Sequence, residues 1–388
     1  TCALPILIAS VASLQHNMEQ WMGELHEHPE LSMKEHFTSK YIAAKVKEWG
    51  YDVAEGIGGT GIVASMTVGN GEKSIGLRAD FDALPIAEDN NLCYKSKQEG
   101  LSHLCGHDAH STMLLGAAKY LSEHKNFNGT VRLIFQPGEE TMQGGPAMIK
   151  DGLFERFPVD AVYGMHNMPG LELGKFFFCE NETMAAVDNW EIELTGKGSH
   201  GSMPELSIDP LVCGASLVMA LQTIVSRNVS PWKNTVVNVG AFQAGVAGNA
   251  VPQKAILRLS IRNMDSEVRT FVLDKIRSIT KAQAESFACE YEIREGVAGT
   301  VLINTPENTK WAASVARQTF GEDQVDEHLH PYMGSEDFAF MLKEKIGNYC
   351  MIGNGDTMMV HHPKYVFNQQ LLSRGATYWV SLVEEYLK

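Results

Sequence analysis

The chain has 388 residues, long enough for a large buried core and for two domains. Hydrophobic residues are 44% and charged residues 20%, an ordinary globular balance. The formal net charge is −15 with no block of basic residues, which argues against nucleic acid or an anionic membrane as the main partner.

In chain order, the apolar start "TCALPILIASVASL" runs into "QHNMEQWMGEL" at helical spacing and predicts one amphipathic helix. It lacks a basic leader and a clear small-x-small cleavage site, so a signal remnant is the weaker reading. "HFTSKYIAAKVKEWG" (36–50) predicts a helix closing on Gly50. Runs at 61–69, 73–80, 129–137 and 159–167 read as strands, and "DAHSTMLLGAAKYLSEH" (108–124) as a buried helix. Near-continuous apolar strands alternating with helices predict an α/β sheet covered on both faces.

From about 186 to 298 the pattern changes to β-α-β-β-α-β, the ferredoxin-like split unit, with its first helix opened by Asp209 and Pro210. It reads as a small domain inserted into a larger one made of 1–185 and 299–388. The chain ends in the helix "LLSRGATYWVSLVEEYL", and no segment reads as a membrane span. There are seven cysteines (2, 93, 105, 179, 213, 289 and 350), none in a C-x-x-C, which fits a reducing, cytoplasmic setting.

"GIGGTG" (56–61) matches G-x-G-x-x-G, but the strand-like "IVASMTV" follows where a dinucleotide site needs a helix, so it reads as a glycine-rich turn. The polar ends of the strands are more telling. Arg78, Asp80 and Asp82 follow one, Glu139 and Glu140 a second, and His166 a third. Open α/β sheets place ligand sites at those ends, and charges beside a core are costly unless paired or metal-bound.

"HLCGHDAH" (103–110) adds to this cluster. Cys105 and His107, two apart ahead of a helix, can aim at one cation from turn backbone, and thiolate with imidazole suits zinc and other divalent transition metals. His103 and His110 read as ordinary satisfied histidines, and Asp108 serves equally as a helix cap. Of the adjacent glutamates, one can ligate while the other takes a proton from an acidified water.

Together these residues resemble the dinuclear-metal amidohydrolases that include hippurate hydrolases, bacterial N-acyl-amino-acid amidohydrolases and plant auxin-conjugate hydrolases. The resemblance covers nearly the whole chain, through "HEHPELSMKE" (26–35), "GLRADFDALP" (76–85), "HLCGHDAHSTMLLGAA" (103–118), "FQPGEE" (135–140), "YGMHNMP" (163–169), "GKGSHGSMPE" (196–205), "GNAVPQKA" (248–255), "GSEDF" (334–338) and "HHPKYVFN" (361–368). It implies two divalent ions, manganese or zinc with cobalt or nickel permitted, on Cys105, His107, Glu140, His166 and His361. The H-x-P motif selects His361 over His362, and Cys105 would bridge the ions. Glu139 is the implied general base, and Asp80 orients a ligand imidazole. His200 would stabilise the oxyanion across a dimer interface, Asn249 and Arg262 would hold the substrate carboxylate, and Glu336 would lie near the pocket or begin a helix.

Two departures from the family pattern stand out. Gly138 replaces the frequent alanine of "QPAEE", and Gln369 replaces an acidic residue in the last motif. The expectation is a metal-dependent amidohydrolase cleaving N-acyl amino acids of hippurate type to a carboxylic acid and a free amino acid. It would be a homodimer or homotetramer through the inserted lid and dimerisation domain. A dipeptidase of the same architecture and a non-catalytic metal-binding protein are the alternatives.

Overall fold

A computed structural model describes residues 3–388. Thr1 and Cys2 lie outside the described residues, so the reading of the first turn of the N-terminal helix, and one of the seven cysteines, cannot be placed. The six described cysteines are free thiols. The chain divides into two compact units. The first takes the chain up to Asn181, then Ile303–His330 and Asp337–Lys388; the second is Glu182–Leu302 with Pro331–Glu336.

The first unit begins with two helices where one was expected, α1 (Ala3–Ala12) and α2 (Gln15–Glu27). The chain turns at Ser13–Leu14, where the Ser13 hydroxyl donates to the Ser10 carbonyl, the local bonding by which serine competes with helix propagation. Next come α3 (His36–Glu48), β1 (Asp52–Ile57), β2 (Gly61–Val68), β3 (Ser74–Asp80), α4 (His107–His124), β4 (Gly129–Gln136), β5 (Ala161–Pro169) and β6 (Phe176–Phe177). The strand β1 has no counterpart among the segments read as strands from the sequence; only Ile57 of its six residues is buried, which suits an edge. The "GIGGTG" segment is the turn joining β1 to its antiparallel partner β2, with strand and not helix on its far side.

These strands build a mixed eight-stranded sheet in the order β1, β2, β4, β3, β5, Ile346–Gly355, β6, Val325–Asp326. At its centre β4, β3, β5 and Ile346–Gly355 run parallel. Every residue of β5 and all but the first of β3 are buried, as a central strand covered on both faces requires. The helix α4 is buried over most of its length, polar residues of its first turns included, and packs against α2 and the C-terminal helix Leu371–Tyr386. Its Leu114, Leu115 and Leu121 are fully enclosed, and truncating any one to alanine would cost about 2–5 kcal/mol.

In the second unit a four-stranded antiparallel sheet runs in the order Thr235–Ala244, Lys254–Asn263, Ala186–Thr195, Glu290–Ala298. Two helices accompany it, Pro210–Thr223 and Ser266–Ser286. Asp209 and Asp265 cap them by accepting from the backbone of Leu211 and Val212, and of Glu267 and Val268. The first helix, with its extension to Asn228, reaches 19 residues at hydropathy 1.3, long and apolar enough to cross a membrane by that measure alone. Its Cys213, Leu217, Leu221 and Ile224 are buried in this unit's own apolar cluster, while Leu211, Val212 and Met219 are exposed.

Candidate metal centre and its surroundings

The parallel register sets Asp80 beside Gln136, and Arg78 beside Gly164, so the carboxyl ends of β3, β4 and β5 open at one end of the sheet. Gly106 carries the chain into α4 at φ 92°, a left-handed conformation; a Cβ there would meet Asn167 Oδ1 at 2.3 Å and Tyr365 Oη at 2.8 Å. Cys105 therefore leaves from turn backbone while His107 is the first residue of the helix.

Two groups of donors converge on one thiol. Cys105, His107 and His166 form one set and Cys105, Glu140 and His361 another, each with its donor atoms within 4.8 Å of one another. Cys105 Sγ lies 3.4 Å from His166 Nε2, and His361 Nε2 lies 3.3 Å from Glu140 Oε1. His107 Nε2 is 3.9 Å from both Glu139 Oε2 and Glu140 Oε1. The five implied ligands and the implied base thus lie together in the first unit.

These donors fit a pair of divalent cations. His107 Nδ1 meets the Asp82 backbone oxygen at 3.0 Å and Oδ1 at 3.1 Å, which turns Nε2 toward the cluster. That Nε2 is buried with no hydrogen-bond partner, and buried Glu140 Oε1 has only the His361 imidazole at 3.3 Å, an expensive arrangement unless a cation faces them. Thiolate, imidazole and carboxylate together suit a divalent transition metal.

The electrostatics are those of charge crowded into a core. Burial opposes charge on His107, but the Asp80, Cys105 and Asp82 groups outweigh it and raise its pKa well above the usual value. Burial and His110 hold His166 well below its own. Burial and Glu140 raise the Cys105 thiol.

His361 sits at φ 68°, a strained conformation for a non-glycine residue, and its backbone N–H donates to the Leu104 carbonyl at 2.7 Å. His362 instead accepts from the Lys364 backbone with Nδ1, and both histidines are exposed. Asp80 binds Arg78 and meets His110 Nδ1 at 2.6 Å, while its distance to His107 Nε2 is 3.8 Å. The carboxylate that bonds the His107 imidazole is Asp82, a role to which its position at the strand end gave no specific pointer.

His110 is a satisfied core residue between Asp80 and Asn167, and Asn167 Nδ2 donates to the Tyr365 hydroxyl at 2.6 Å. Arg78 also donates to Asp337, completing a buried polar chain behind the donors. Asp108 is not the cap of α4, a position taken by Gly106. It is bound by His26 Nδ1 at 2.8 Å, and His26 Nε2 reaches Glu88 at 3.1 Å. His103 nearby is buried with neither ring nitrogen bonded, and burial pushes its pKa down to about 4.

His200, Asn249 and Arg262 belong to the second unit. His200 is exposed on a short ribbon opposite Ala250, and its neighbour Gly201 donates to the Asn249 carbonyl at 2.8 Å, so these two residues adjoin. Arg262 donates to the Met333 carbonyl and to Ser335 Oγ, each at 3.0 Å. Glu336 is buried and precedes the helix Phe338–Glu344, with Asp337 at its N-terminal boundary.

Thiol, imidazole and carboxylate donors gathered at one end of the parallel strands of a sheet, with a further carboxylate beside them, are the arrangement that a two-metal hydrolase requires. The chain belongs to peptidase family M20/M25/M40, whose model matches residues 76–385. It is 45% identical over 382 residues to a hippurate hydrolase of Campylobacter jejuni subsp. jejuni, covering 98% of this chain and 100% of the relative. A putative aminohydrolase from methicillin-resistant Staphylococcus aureus shares the fold with a TM-score of 0.90 at 32% identity, over 98% of this chain and 99% of that one. The YXEP protein of Bacillus subtilis, described as a dinuclear metal binding peptidase from the M20 family, superposes with a TM-score of 0.82 at 28% identity, over 97% and 99%.

Proposed function

We propose that the chain is a dinuclear-metal amidohydrolase that cleaves N-acyl amino acids of hippurate type, N-benzoyl or N-acetyl, to a carboxylic acid and a free amino acid. The observation that carries this reading is the sharing of Cys105 by two donor sets, with Glu139 beside them. The 45% identity to a hippurate hydrolase supports the substrate class. Cys105, His107, Glu140, His166 and His361 would hold two divalent ions, manganese or zinc first, with cobalt and nickel suited to the same donors. When bound, the ions supply Lewis-acid polarisation of the amide carbonyl and acidify a water.

The protein's own groups do the rest. Glu139 takes the proton of the attacking water and returns it to the leaving nitrogen. Asp82 fixes the tautomer and direction of His107. His200, supplied across a dimer interface, stabilises the oxyanion, and Asn249 and Arg262 hold the substrate carboxylate.

The inserted segment 186–298, which lies in the second unit, is assigned as a ferredoxin-like lid and dimerisation domain. Its β-α-β-β-α-β succession and strand order support the topology part of that reading. The free thiols support a cytoplasmic location. The test is Glu139→Gln: the variant is expected to keep both ions and lose about 10²–10⁴-fold in turnover. Turnover near wild type would remove Glu139 from the mechanism.

A further inference from the structure

The segment "PELSMKE" and the turn "GIGGTG" have no part in the mechanism above, yet they meet around one carboxylate. Glu35 is fully buried. Its Oε1 accepts from the backbone N–H of Met33 at 2.8 Å and of Gly138 at 2.9 Å, and its Oε2 accepts from the Thr60 hydroxyl at 2.6 Å. Met33 and Gly138 are both left-handed, at φ 63° and 60°. One oxygen thus ties down two left-handed backbone amides; at Met33 that conformation is strained and persists only where surrounding contacts over-determine it, while glycine adopts it freely at 138.

The position of Gly138 gives this a purpose. It precedes Glu139, and on the other side of Glu139 the Glu140 N–H donates to Asp82 Oδ2 at 3.0 Å, an oxygen that also accepts from Ser32 at 2.6 Å. Residues 32–35 therefore grip the base's turn at both flanking amides, through Asp82 on one side and Glu35 on the other. Where the family often has alanine at 138, a Cβ would fall 2.5 Å from Met33 Sδ. The glycine and the methionine side chain occupy the turn as a matched pair.

We propose that Glu35 is a positioning residue for Glu139, holding the 138–140 turn so that the base faces the attacking water. This rests on the reading of Glu139 as the base. Burial, with Asp82 nearby, pushes the Glu35 carboxyl up to about 7, so glutamine is a close replacement. E35Q keeps an acceptor where Oε1 stands; E35D keeps the charge but draws the acceptor back by one carbon.

The experiment measures kcat and KM for hippurate, bound metal and melting temperature in wild type, E35Q, E35D and E139Q. Displacement of a catalytic group by roughly an ångström can cost about 10²-fold, so E35D should lose about that in kcat and E35Q less than about tenfold. KM should change by less than about threefold, and both variants should retain wild-type metal, because the step affected is chemistry and not binding. Wild-type kcat in E35D, or E35Q falling as far as E35D, overturns the proposal. So does a loss of activity that only follows a loss of metal. If E35D does not fold, G138A takes its place, with the same fall in kcat expected and a wild-type value equally fatal. Turnover retained in E139Q removes the base assignment and this proposal with it; a dead E139Q beside a normal E35D removes this proposal alone.

Discussion

His26 gives the first unit a stability that alkali removes. Burial alone would lower its pKa, but Asp108 and Glu88 outweigh burial and raise it from 6.5 to about 9. A folded pKa above the unfolded one means that the folded chain keeps a proton that the unfolded chain has released. The stabilisation is complete below pH 6.5 and lost as pH rises through about 9. One proton's difference gives a slope of about −1.4 kcal/mol per pH unit over that window, about 3 kcal/mol in all. The lowered Asp108 and Glu88 describe the same contacts and are not added. The assay is urea unfolding of the metal-loaded protein from pH 6 to 10, followed through the tryptophans, in wild type and H26Q. Glutamine carries no charge, so the slope should vanish in the variant, while two buried carboxylates without a cation should cost about 3–5 kcal/mol at neutral pH. Parallel pH profiles for the two proteins would refute the reasoning.

Further outcomes follow from the donor cluster. Asp82→Ala leaves His107 Nδ1 only the backbone oxygen of residue 82, removes the carboxylate that also binds Ser32 and the Glu140 amide, and should weaken metal binding about 10–100-fold in competition with a chromophoric chelator. Unchanged affinity would leave His107 oriented by something else. His361→Ala should lose an ion by elemental analysis, whereas His362→Ala, which gives up only a turn contact to Lys364, should keep the full complement. The opposite pattern would transfer the ligand role to His362.

The donors were legible because each breaks an apolar pattern. Glu140 follows the buried strand β4 and His166 lies inside the buried strand β5, while Cys105 precedes and His107 opens a largely buried helix. Charge in such places demands a partner. What escaped has no local signature. Glu35 acts through Gly138, 103 residues away, and Asn167 through Tyr365, 198 residues away; only folding brings these pairs together. The assignment of imidazoles to Asp80 and Asp82 was equally unreadable, since two aspartates two residues apart at the end of one strand look alike until the histidines are placed. The N-terminal helix was over-extended because periodicity continues across Ser13–Leu14 while the backbone does not.

The central claim is that Cys105, His107, Glu140, His166 and His361 hold catalytic metal. Its most direct measurement is hippurate hydrolysis by chelator-stripped protein, before and after manganese or zinc is restored, with bound metal counted in parallel. The account predicts that activity vanishes on stripping and returns as two equivalents rebind. Full hydrolysis by protein carrying no metal would contradict it.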